Sequence, residues 1–206
     1  MVEAPKPSDI PNVFGLNEPQ HMVSKLYFEI MELMDSLSVW TKNREFPEPL
    51  FVAFNTAVTA WHITDWLWES RESTRAAMKK RFGFDYNEWS QRGRNTGLHT
   101  FQNAVAADRR SIYICREIAN ASKHMRRKKI DPAINAVAEW HPAVQAAGHV
   151  EVGDLVMSLT ILDGDERHDA ERLFIDAAGY WEKLLTSEGL TTAEARLPDK
   201  IIRATQ

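Results

Sequence analysis

Arg116, Asn120 and His124 are spaced four apart in the stretch RRSIYICREIANASKHM. Residues at that spacing lie on adjoining turns of a helix, so the three would form one polar ladder, with Tyr113 a turn below and Lys123 beside. A permanent cation, an amide and an imidazole that titrates near neutrality can together grip a phosphate and move a proton. That combination suits phosphodiester chemistry. It makes Arg116, Asn120 and His124 the candidate catalytic residues, and Lys123, Arg126 and Arg127 the candidate substrate contacts. The same side chains also allow a structural reading. Arg116 could pair with Glu117 or another nearby acid, Asn120 could face solvent, and His124 could sit at a helix C-terminus, where positive charge is favourable.

Charge distribution supports a local anion site and excludes a generally polycationic nucleic-acid binder. Between Asp108 and Lys129 there are eight basic residues against two acidic ones, in a chain of 206 residues with formal charge -4. The window is therefore +6 and the remainder -10. A cationic window on an acidic protein draws a polyanion to one place, where neutralised phosphates release counterions. Lys and Arg side chains that satisfy helix-end carbonyls would produce the same cluster without any ligand.

A second polar group lies in AVTAWHITDWLWES, where His62 and Asp65 are three apart between Trp61, Trp66 and Trp68. One helical face can present the imidazole and the carboxylate together. With Asn55, they are further candidate substrate contacts if their helix packs against the Arg116 helix. The simpler reading is a satisfied core pair, because buried polar groups need partners. Bundle metal sites place acid and His at this spacing on facing helices, but no second such pair is evident, so no metal ligand is assigned. His168 is flanked by Asp165, Glu166 and Asp169, a cluster expected at a helix start from the macrodipole alone. No glycine-rich phosphate loop, serine nucleophile elbow or Walker-type lysine is present, and no cofactor is implied. Cys115 is the single cysteine, which excludes an intrachain disulfide framework and points to a reducing compartment, the cytoplasm.

These side chains need a scaffold, and the apolar spacing describes one. Pro5, Pro7, Pro11 and Pro19 predict an extended arm over residues 1–19. Three-and-four spacing predicts helices over 20–40 and 50–70, the second nearly apolar all round and so central to a bundle. A shorter helix over 72–81 stops before Gly83. The segment FDYNEWSQRGRNTG is turn-rich and receives no element. Helices follow over 98–107 and from Asp108, read as an N-cap, to Met125. INAVAEW and HVEVGDLVMSLTIL show β-branched residues and partial period-two alternation and predict a small, hairpin-like strand pair. A last helix over 167–187 ends at Gly189. The expectation is one mainly α domain over 20–206, a helical bundle with a β-strand pair before its C-terminal helix. Apolar residues at 44% and charged residues at 26% fit a globular chain with no membrane span. The N-terminus has neither a basic start nor an apolar run, unlike a signal peptide or anchor.

The string CREIANASKH, closing a long helix in a mostly helical chain, resembles proteins of the HEPN superfamily, and its ANASKH ending is similar to that of uncharacterised bacterial relatives. The resemblance implies an up-and-down helical core and a metal-independent cleavage of RNA at the 2′-hydroxyl. Arg116 would be the phosphate-binding cation, Glu117 the polar follower and His124 the general base or acid. Four to six residues intervene between Arg and His in that pattern, and seven intervene here. One extra residue turns His124 by about 100° relative to Arg116, which makes Asn120 an alternative partner. A homodimer with the motif helices facing across a basic cleft, acting on RNA in a defence or toxin setting, is what the resemblance implies. A non-catalytic helical interaction module, with the polar cluster as scaffold, is the alternative.

Overall fold

The computed structural model describes residues 18–38, 48–86, 90–122, 133–142 and 155–190. Apart from Glu18 and Pro19, the proline-rich arm lies outside them. Helix α1 spans Pro19–Ser38, α2 Glu48–Ser70, α3 Glu72–Phe82, α4 Gln91–Asp108 and α5 Arg110–Ser122. Strands β1 (Ile134–Pro142), β2 (Leu155–Asp163) and β3 (Glu166–Asp169) follow, and α6 (Ala170–Ser187) closes the described chain. The fold is mainly helical, with a small antiparallel sheet ahead of the C-terminal helix. None of the described helices is long and apolar enough to cross a membrane.

Apolar spacing explains the core. Val23, Leu26, Tyr27, Ile30, Leu33 and Leu37 of α1 are all buried, as their periodicity requires. Helix α2 packs against every other helix, which is why it is apolar on so many sides. Its buried Thr56 and Thr64 donate to the Val52 and Trp61 carbonyls, each at 2.8 Å, so their hydroxyls can enter the core. Helix α6 docks on α2 through Trp181, whose indole N–H donates to the Ala60 carbonyl at 2.8 Å. Helix α3 ends where Gly83 takes a left-handed φ of 66° and its N–H bonds the Lys79 carbonyl.

Three features depart from expectation. Helix α4 begins at Gln91, not Leu98, so QRGRNTG forms its first two turns. Two glycines and the lack of apolar spacing hide those turns from a periodicity reading, yet the start is well specified. Ser90 is extended, and its Oγ accepts from the Gly93 N–H at 3.0 Å. Ser90→Ala is expected to lower stability by about 1 kcal/mol, read from the urea midpoint; an unchanged midpoint would show that the cap is dispensable. Asp108 is the last residue of α4, not an N-cap for α5. It accepts from the Tyr180 hydroxyl at 3.0 Å, and the extended Arg109 makes the joint.

The third departure is in the sheet, which has the order β1-β2-β3 and not a simple pair. β1 and β2 run antiparallel from Ile134↔Asp163 to Pro142↔Leu155, and β2 then turns at Gly164 into β3. Arg167, His168 and Asp169 therefore belong to a strand. The acid-rich run resembles a helix start because only its last member is one: Asp169 Oδ1 accepts from the Arg172 N–H at 3.0 Å and caps α6. Along β2, Met157, Leu159 and Ile161 alternate as the buried face toward the helices.

Candidate functional site

Helix α5 buries Ile112, Cys115 and Ala119 and turns Arg110, Tyr113 and Arg116 outward at three-residue spacing. Asn103, Ala106 and Ala107 of α4 face them. These six residues line an open recess of about 390 Å³, roomy because the two alanines are small. Two guanidinium groups share the Tyr113 ring, Arg110 at 4.3 Å and Arg116 at 4.6 Å from its centroid. Arg116 also stands 5.9 Å from the ring of Trp61 on α2. Such contacts hold the cations over aromatic faces and fix their direction.

Among the described residues, Arg109, Arg110 and Arg116 all have acidic partners. Arg109 forks onto Asp176 of α6, and Arg110 forks onto Asp163 at the end of β2. Arg116 Nε donates to Glu117 at 3.1 Å and Nη1 to Asn103 at 3.3 Å. Glu117 is buried, while the Arg116 side chain keeps 20% of its exposure. Two of its five N–H groups are engaged, so Nη2 and one hydrogen of Nη1 have no partner among the described residues. Arg116 therefore combines the ion pair of the structural reading with donor capacity at an open recess.

Of the other candidates, Asn120 is half-buried on the last turn of α5. The amide that reaches Arg116 is Asn103, on the neighbouring helix. No sequence signal marks Asn103, because its role depends on how α4 packs against α5. Lys123, His124, Arg126 and Arg127 lie outside the described residues, and with them most of the basic window. Asp65 Oδ1 accepts from Gln102 Nε2 at 3.0 Å, and the same amide reaches Thr64 Oγ1 at 3.2 Å. Consecutive residues of α4 thus engage both polar groups, Gln102 at Asp65 and Asn103 at Arg116. His62 is half-buried and Asn55 exposed, and neither of them nor Asp65 lines the recess. Among the described residues, no third His, Cys or carboxylate joins His62 and Asp65 at metal-ligand spacing.

Burial first, and then the neighbouring Asp108, push the Tyr180 hydroxyl well above the usual tyrosine range. Burial alone raises the Cys115 thiol far above its ordinary value, leaving it inert. The two guanidinium groups and the Asn103 amide give the described lining of the recess the donors to hold an anion. No protein-family model, curated protein or solved structure matches this chain.

Proposed function

We propose that this is a cytoplasmic HEPN-like protein of a defence or toxin system, which binds RNA through the recess between α4 and α5 with Arg116 as its phosphate contact. The observation that carries the reading is the remaining donor capacity of Arg116, held on aromatic rings beside an open recess of about 390 Å³. A guanidinium presents planar paired donors that suit phosphate oxygens. Arg110 at the same ring adds positive potential, moderated by its Asp163 partner. In the catalytic version, His124 takes the proton of the 2′-hydroxyl, the Lys123 to Arg127 stretch steers the backbone, and two copies face each other across the cleft.

The test is fluorescence anisotropy with a labelled single-stranded RNA at fixed low salt. Arg116→Ala is expected to weaken binding about 10- to 100-fold, as loss of a charge-assisted hydrogen bond implies. Unchanged affinity would overturn the RNA reading. Cleavage that survives His124→Ala would remove the catalytic version alone. One observation favours the scaffold reading, namely that Nε of Arg116 is committed to a buried carboxylate. Arg116→Ala that depresses the melting temperature and leaves RNA affinity intact would select it.

A further inference from the structure

The β2–β3 turn gathers a different set of ligating groups. Antiparallel register sets Asp163 opposite Glu166 and Ile161 opposite His168, so all four side chains stand on one face of the hairpin. Ile161, like Leu159 and Met157 before it, is buried, so this face is the one turned toward the helices. The buried alternation of β2 ends on Asp163, whose side chain keeps only 9% of its exposure. One ligand atom each from Asp163, Glu166 and His168 lies within 4.8 Å of the others.

The imidazole sets this arrangement apart from a cluster of surface acids. His168 keeps 30% of its side-chain exposure, but its Nε2 atom is closed off from solvent without a hydrogen-bond partner among the described residues. Glu166 Oε2 stands 3.6 Å from it, within ion-pair reach of a protonated ring but too far for a hydrogen bond. A ring nitrogen closed off beside two carboxylates presents, with them, a mixed nitrogen and oxygen donor set of the kind that holds a cation. We propose that Asp163, Glu166 and His168 form a binding site for a divalent first-row transition metal ion. One imidazole nitrogen with two carboxylate oxygens suits Zn²⁺ better than Mg²⁺, which prefers all-oxygen octahedral sites. Tetrahedral Zn²⁺ needs ligand atoms about 3.3 Å apart, given bond lengths near 2 Å. Glu166, with 76% of its side chain exposed, can make that closure.

Arg110 gives the proposal a distinctive signature. Its Nε and Nη2 both donate to the Asp163 carboxylate, so ion and guanidinium compete for the same oxygens. Metal binding would loosen the first residue of α5 from the sheet.

Isothermal titration of the full chain with ZnCl₂ alone tests this. One saturable Zn²⁺ site per chain is expected, with Mg²⁺ binding far more weakly. Glu166→Gln and His168→Ala should each weaken Zn²⁺ about tenfold or more. The exposed Glu166 position makes the first variant safe for folding. Arg110→Gln should bind Zn²⁺ more tightly than the parent chain. Absence of saturable Zn²⁺ uptake, or uptake indifferent to both ligand variants, would overturn the site. Weaker binding in Arg110→Gln would do the same, since Asp163 would then not be a ligand.

Discussion

Trp181→Ala is expected to remove about 3–5 kcal/mol of unfolding free energy, measured by urea titration with the parent chain alongside. That is a large share of the roughly 5–15 kcal/mol typical of a folded domain, so the variant should be partly unfolded near body temperature. The side chain is fully buried in α6, and its ring meets Tyr180 edge-on at 5.3 Å. Truncation loses the transfer energy of an indole and leaves a cavity that helices anchored at both ends cannot easily close. It also deletes the buried hydrogen bond to the Ala60 carbonyl, a direct tie between α6 and α2. Trp181→Phe keeps much of the volume and loses that bond, so its cost should be clearly smaller. A loss below about 1 kcal/mol for Trp181→Ala would mean that α6 is not held as described.

Gly97→Ala runs against ordinary helix propensity and is the second large effect. In an exposed helix, Gly to Ala gains about 1 kcal/mol. A Cβ at position 97, however, would meet Tyr86 Cγ at 2.6 Å and Trp68 Cζ2 and Cη2 at 2.7 and 2.8 Å. The Trp68 ring cannot yield easily. Trp68 is buried at the centre of an aromatic cluster, with ring centroids of Tyr86, Phe101 and Phe84 at 4.8, 5.9 and 6.2 Å. Overpacking there costs more than the helix gains, and a net loss of about 2 kcal/mol is expected from thermal or urea melts. Gly179 provides the internal control. It lies in exposed helix with nothing within 4 Å of its would-be Cβ, so Gly179→Ala should gain about 0.5–1 kcal/mol. Two glycines in helices, moving in opposite directions, would confirm that packing and not propensity governs position 97. A gain at both would show that Trp68 can move aside.

Three-and-four apolar spacing located α1, α5 and α6 to within a few residues, the long nearly apolar run located α2, and Gly83 marked the end of α3, all of them local properties of the chain. The β1–β2 pairing was legible in the same way from its alternation. The start of α4 was not. Its first turns have no apolar stripe, and Gly97 is explained by the Trp68 ring 29 positions earlier in the chain. Nor was β3, whose four polar residues gain strand geometry from the register that Asp163 and Glu166 close around Gly164.

The site divides along the same line. Arg116 and Tyr113 were recognisable as an outward stripe, and the Arg116–Glu117 contact joins immediate neighbours. Local sequence thus determined the helices, their buried sides and which cation faces outward, since these follow from the 3.6-residue turn. Only tertiary structure decided that Asn103 meets Arg116 and that Asp163 and Asp176 match Arg110 and Arg109. Those contacts join residues 13 to 67 positions apart in α4, α5, the sheet and α6, and helix and strand packing, not spacing, brings them together.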